Sequence, residues 1–216
     1  MIDVKELLDE IKASPFEEIE VLAPHTGVVE FAELTSNQKV VGPSGTWREK
    51  PGTLLASLER ERNKKFIHAQ LKGEIQSINM DLNSRFVEAG TPLLTIRHFL
   101  SSDEVIETIL KQVLYLFEAP ERATYYFTPD VDKKIKASGS RTVTVIDGME
   151  LFIVSRMKRE KLLHYTGPEG KIYTVYFEHN QNVDAGSPLI GVCPEDQVGL
   201  IQDVVNRVQS EWEERD

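Results

Sequence analysis

Apolar and polar positions along this chain follow two different periods. Val4, Leu7, Leu8 and Ile11 recur at three- and four-residue spacing among acidic residues, one face of a helix that Pro15 stops. From Glu18 to about His98 the pattern shortens to runs such as Ile19-Glu20-Val21-Leu22, Gly27-Val28-Val29-Glu30-Phe31, Leu54-Leu55-Ala56-Ser57-Leu58 and Leu93-Leu94-Thr95-Ile96. Gly and Pro punctuate these runs at intervals of roughly ten residues, the signature of an all-β unit. Ser101-x-x-Glu104 is a capping box that opens a predicted helix through about Phe117, with Val105, Ile109, Leu110 and Val113 on one face. A second strand-rich stretch runs from Tyr125 to about Val192, and after Pro194 a last helix carries Val198, Ile201, Val204, Val205, Val208 and Trp212. The pattern predicts a mainly β chain with flanking helices. A helix occupies 1–17, a β-module 18–98, a connecting helix 99–123, a second β-module 124–193 and a helix 194–216.

The two β-modules repeat one spacing. Gly52 precedes Arg62 by ten positions, and Gly148 precedes Lys158 by ten. Gly73 to Gly90 is seventeen positions and Gly170 to Gly186 sixteen, with Val87-x-x-Gly90 and Val183-x-x-Gly186 each leading to a leucine, Leu93 and Leu189. A long shared period of this kind marks a duplicated module. The copies differ at one position above all, Arg62 in the first and Lys158 in the second.

This pattern resembles the biotinyl/lipoyl carrier family, whose flattened β-barrel presents a lysine at the tip of a tight hairpin to receive biotin or lipoate. The resemblance implies tandem barrels of this type. Residues 18–98 carry it in Ala23-Pro24, Gly27, Gly52, Leu54, Ile67, Ala69, Gly73, Val87, Gly90 and Leu93, but the family's lysine falls on Arg62. A guanidinium stays protonated and is no acceptor for acyl transfer, so the first module is expected to be unmodified. Thr35 to Lys50 sits where some bacterial biotin carriers have a protruding thumb. Residues 124–193 carry the resemblance in Pro129, Gly148, Leu151, Met157-Lys158, Gly170, Val183, Gly186 and Leu189, with Asp132 at the place of the first glycine. Met157 before Lys158 favours biotin over lipoate, whose domains more often have Asp there. Arg156 and Arg159 stand where a typical biotin site has Ala and Met.

The resemblance implies a carboxyl carrier subunit of a biotin-dependent, commonly acyl-CoA, carboxylase or decarboxylase. Biotin on Lys158 would serve biotin carboxylase and carboxyltransferase partners after loading by a biotin protein ligase. The alternative is an unmodified scaffold or assembly subunit of the same fold, which Arg62 favours. Membrane-fusion adaptors also use lipoyl-like barrels, but the sequence shows neither an export signal nor a helical hairpin inside a module. Both hairpins are basic, with Arg60, Arg62, Lys64 and Lys65 in one and Arg156, Lys158, Arg159 and Lys161 in the other. Such turns suit either an acidic partner or simple pairing with Glu59, Glu61 and Glu160.

A net charge of −10 argues against general nucleic-acid binding. The single cysteine, Cys193, offers no internal disulfide and reads as a buried small hydrophobe in a reducing compartment. With no apolar run long enough to span a bilayer and no signal-like N-terminus, the expected location is cytoplasmic, without membrane contact. His25, His68, His98, His164 and His179 lack ligand spacing, so no metal site is expected. With no nucleophile–base pair in the sequence, no catalysis by the chain alone is expected.

Overall fold

A computed structural model describes residues 4–213. The chain divides into two compact units: Lys12–Ser101, the N-terminal module, and Ser102–Trp212 together with the segment ending at Ile11, the C-terminal module. Among the described residues the protein is mainly β, with four four-stranded antiparallel sheets, two in each module.

In the N-terminal module the strands are β1 (Phe16–Leu22), β2 (Gly27–Phe31), β3 (Lys39–Val40), β4 (Leu54–Arg60), β5 (Asn63–His68), β6 (Gly73–Ile78), β7 (Phe86–Val87) and β8 (Pro92–Phe99). They form sheets of order β1-β8-β6-β3 and β5-β4-β2-β7. One core cluster gathers Val29, Ala56, Leu58, Ile67, Val87 and Leu93, and a second gathers Val40, Leu55, Ile75, Leu94 and Ile96. Each cluster draws from both sheets, so the sheets bury their inner faces against one another. Leu55 and Ala56 are adjacent yet both buried, because a bulge between Leu54 and Ala56 resets the alternation along β4.

The C-terminal module contains β9 (Tyr115–Glu118), β10 (Ala123–Phe127), β11 (Thr144–Val145), β12 (Glu150–Arg156), β13 (Arg159–His164), β14 (Gly170–Val175), β15 (Asn182–Val183) and β16 (Pro188–Cys193). Its sheets run β11-β14-β16-β9 and β13-β12-β10-β15, the same two orders strand for strand. The bulge recurs as well, between Glu150 and Phe152, and buries Leu151 and Phe152 together. Here the core is aromatic. Phe152 lies among Phe117, Tyr125, Phe127 and Phe177 at ring-centroid distances of 5.0–6.4 Å. Cys193 is buried, and burial pushes its thiol pKa up.

Helices α1 (Val4–Ala13), α2 (Ser102–Val113), α3 (Pro129–Ser138) and α4 (Val198–Glu211) complete the described chain. Several expectations need correction. The N-terminal helix, expected over 1–17, ends at Ala13, and Phe16 and Glu17 already pair in β1. The connecting helix, expected over 99–123, ends at Val113, and Tyr115–Glu118 form the edge strand β9. Apolar residues at 113, 114 and 117 have the i, i+1, i+4 spacing of a helical face, which carries the expected helix past its end. The strand wins because Tyr115 donates its hydroxyl hydrogen to the Thr166 carbonyl at 2.8 Å and Phe117 stacks on Phe152. The strands of the second module therefore start before residue 124. A further correction concerns Pro129 and Asp132, expected in the opening strand of that module, which lie in α3. Thr128 precedes the helix, Pro129 takes the first-turn position where a missing N–H costs nothing, and Gly139 at φ 87° ends it. The first three residues and the last three expected helical positions lie outside the described residues.

Candidate functional site

Backbone hydrogen bonds show which positions of the two modules correspond. The Ala23 N–H donates to Thr91 and the Gly90 N–H to Ala23, while the Ala119 N–H donates to Ser187 and the Gly186 N–H to Ala119. Ala119-Pro120 is thus the counterpart of Ala23-Pro24, and Ala123, not Asp132, takes the place of Gly27. His25 corresponds to Glu121. Downstream, Val28 pairs with Glu59 as Thr124 pairs with Ser155, and Arg60 pairs with Asn63 as Arg156 pairs with Arg159. His68 and His164 likewise share one register position, opposite Leu54 and Glu150.

This alignment places Lys158 and Arg62 at the same point. Met157-Lys158 forms the two-residue tip between β12 and β13, with φ of 49° and 62°; Glu61-Arg62 forms the tip between β4 and β5, with φ of 52° and 66°. Positive φ at both central residues is the mark of the type I′ hairpin, which matches strand twist and usually takes Asn-Gly. Non-glycine residues in this region cost roughly 1–2 kcal/mol each, so both tips hold strained side chains. Met157 is 86% exposed, and Lys158 is exposed beside it. Glycines preceding the two hairpins share a position for different reasons. Gly148 sits at φ 80° in a turn, while a Cβ on Gly52 would lie 2.2 Å from the Ala69 carbonyl oxygen.

Below the Lys158 tip, the two strands of the hairpin are tied to one carboxylate. Arg156 donates through Nη1 to Glu121 Oε2 at 2.6 Å, and the Lys161 ammonium pairs with Glu121 Oε1. Lys161 and Arg156 hold the Glu121 carboxyl below its ordinary pKa by hydrogen bonding to its ionised form. A shallow hollow of about 610 Å³ opens here, lined by Glu121, Val154, Arg156, Met157, Arg159 and Lys161 among others. Glu160, expected to neutralise this turn, is not the partner; Glu121 is. At the first hairpin Lys64 donates to Glu30 at 2.6 Å, and Arg60 lies 3.6 Å from Glu61. A smaller hollow of about 290 Å³ is lined by His25, Arg60, Glu61, Asn63 and Lys65.

The excursion from Thr35 to Lys50, expected where some biotin carriers have a thumb, contains β3 and most of the connection from it to β4. Ser44 and Lys50 exchange backbone hydrogen bonds of 2.9 and 3.1 Å, and Trp47 projects with 88% exposure. The loop enters β4 at Leu54, whereas the Arg62 turn leaves it after Arg60. Seven strand residues span about 20 Å, so the loop belongs to the opposite end of the strand from the turn.

Glu121 and His25 were not singled out in the sequence as site residues. The signal was the second Ala-Pro, at 119–120, three residues before a strand. Among the described residues no group of acidic, His and Cys side chains is arranged to hold a metal, and no helix is long and apolar enough to cross a membrane. No protein-family model and no curated protein matches the chain.

Proposed function

We propose that the protein is a carboxyl carrier built from tandem biotinyl/lipoyl-like barrels, with Lys158 as its biotin attachment site. One observation carries this reading: Lys158 occupies the second position of an exposed, strained type I′ tip, in a module whose two-sheet topology is repeated in the other half of the chain. A primary amine at the outermost turn of a braced hairpin suits amide formation with a carboxylic cofactor, and Met157 favours biotin over lipoate.

The chain's own contribution is presentation. Pairing along β12 and β13 fixes the base of the turn, Glu121 ties Arg156 to Lys161, and positive φ at Met157 and Lys158 turns both side chains outward. Biotin, when attached, supplies carboxyl uptake and delivery. Tethering raises its effective concentration at a biotin carboxylase and a carboxyltransferase. The acyl acceptor is set by those partners.

A second reading rests on Arg62. The N-terminal module keeps the tip geometry without an acylatable side chain, as a scaffold subunit would, and the arginines flanking Lys158 extend that reading to both modules. Intact mass spectrometry of the full chain, coexpressed with an active biotin protein ligase from its own source, separates the two. The carrier reading expects a gain of one biotin, mapped to Lys158 and lost in Lys158→Arg. An unmodified chain sinks it and leaves the scaffold reading.

A further inference from the structure

The two modules solve one electrostatic problem differently. In the C-terminal module the cations at 156 and 161 face an acid, Glu121, which accepts from both. The N-terminal module keeps both cations in register as Arg60 and Lys65, but has His25 where the acid belongs. Its imidazole Nδ1 lies 3.0 Å from the Thr26 carbonyl oxygen, and Nε2 is buried with no partner. A polar atom sealed from water without a hydrogen bond costs about 1–3 kcal/mol.

The neighbours do not fill the gap. Glu61 approaches Arg60 at 3.6 Å, with both side chains largely in solvent, and a pair of that kind contributes little. Lys64 is engaged by Glu30, whereas Lys65 has no ion pair among the described residues. Around His25 and these cations lies the hollow of about 290 Å³, with Asn63 as a further donor.

We infer that the N-terminal hairpin binds a small carboxylate ligand at His25, Arg60 and Lys65, where the C-terminal module supplies its own carboxylate from Glu121. Guanidinium and ammonium groups on adjacent strands form charge-assisted hydrogen bonds to a planar oxyanion, as their counterparts do in the other module. Asn63 adds an amide donor at the rim. The site is independent of whether Lys158 carries biotin, since none of its residues belongs to that module.

The test uses the full chain and sodium acetate as probe, with sodium chloride at matched ionic strength and inorganic phosphate as separate arms. Imidazole signals, assigned by His25→Gln, and the backbone amides of Arg60 to Lys65, which also report in the His25 variants, are followed by ¹H–¹⁵N NMR. Acetate is expected to shift the His25 resonances saturably while chloride does not. His25→Glu, which recreates the internal acid, is expected to abolish acetate binding, and Arg60→Gln/Lys65→Gln to weaken it at least tenfold. Glu121→His is expected to create an acetate response in the C-terminal module. An acetate response no larger than that to chloride overturns the proposal, as does acetate binding that survives in His25→Glu at wild-type strength. A response to phosphate alone overturns the carboxylate assignment. If His25→Glu fails to fold, the Arg60/Lys65 double variant decides by the same criterion.

Discussion

Phe152 anchors the strand that ends in the Lys158 tip, and replacing it with alanine tests the packing argument most directly. The side chain is fully buried. It stacks on Phe127 at 5.0 Å and Phe117 at 5.9 Å and meets Phe177 and Tyr125 edge-on at 5.7 and 6.4 Å. Large-to-small changes at buried Phe cost about 3–5 kcal/mol through lost transfer energy and a residual cavity. Aromatic pairs add about 0.5–1.5 kcal/mol each beyond burial, though not additively. Four such neighbours place Phe152→Ala near the top of the range, about 4–5 kcal/mol, a large part of the roughly 5–15 kcal/mol that holds a typical domain. Urea unfolding can isolate the module. The chain has two tryptophans, Trp47 and Trp212, and in a Trp47→Phe background only Trp212 of the C-terminal module reports. With a slope of about 2 kcal/mol per M, the midpoint should fall by about 2 M. A fall under about 0.5 M, with the slope unchanged, would show that Phe152 does not organise this core.

The other expected outcomes concern turns, charge and buried polarity. Because the Glu121 pKa is depressed, its bracing is fully present above the ordinary carboxylate value of 4.5 and is lost as pH falls through the lower folded value. Protection of the hairpin amides, taken relative to the intrinsic exchange rate at each pH, should therefore fall on acidification in the wild type, while Glu121→Gln should be weakly protected throughout and lack that step. Gly148→Ala should cost about 1–2 kcal/mol from φ 80° alone. Gly52→Ala, whose Cβ would meet the Ala69 and Val41 carbonyl oxygens at 2.2 and 2.6 Å, should cost about 3 kcal/mol or more in the denaturation of its own module. Tyr176 has a buried hydroxyl with no partner, and burial pushes its pKa up to about 12; Tyr176→Phe should raise the unfolding free energy by about 1 kcal/mol. Under the carrier reading, Arg62→Lys should yield a mass gain of two biotins with an active ligase, because its tip shares the dihedral pair of Met157-Lys158. A single biotin would show that tip geometry alone does not suffice.

The glycine spacing made the duplicated strand pattern legible, because turn positions repeat regardless of which side chains fill the cores. The resemblance, not the spacing, implied hairpin tips at Arg62 and Lys158, and the backbone turns at 61–62 and 157–158. What the spacing could not give was the start of the second strand set. Val113, Leu114 and Phe117 have the i, i+1, i+4 spacing of a helical face, although Val113 ends α2 and Phe117 lies in β9, and only the aromatic partners Phe152 and Tyr165 settle the choice. Helix α3 was hidden for a related reason: Pro129 looked like part of an Ala-Pro strand motif, when Thr128-Pro129 is a helix start. That one shift displaced the alignment of the opening strand and concealed Glu121. The acid is also distant in sequence from the cations it pairs with, so local charge pairing pointed to Glu160 instead.

The comparison between modules turns strain into an argument about use. A turn that merely joins two strands is best made from Asn-Gly, which relieves both positive-φ positions. Here neither hairpin contains glycine at its tip, and each accepts roughly 2–4 kcal/mol of local cost for two side chains. Strain of this kind persists where the surrounding structure enforces it, commonly at functional sites. In the C-terminal module that enforcement is visible, with Glu121 drawing the two strands together beneath Met157 and Lys158. The N-terminal module has an equally strained tip, but His25 stands where Glu121 would be, and Glu30 engages Lys64 without joining the two hairpin strands. A bound carboxylate at His25, Arg60 and Lys65 would brace that turn from the same place. Its tip should then be the looser of the two in acetate-free buffer and stiffen as the ligand binds, and amide exchange at Glu61 and Arg62 measures both states directly.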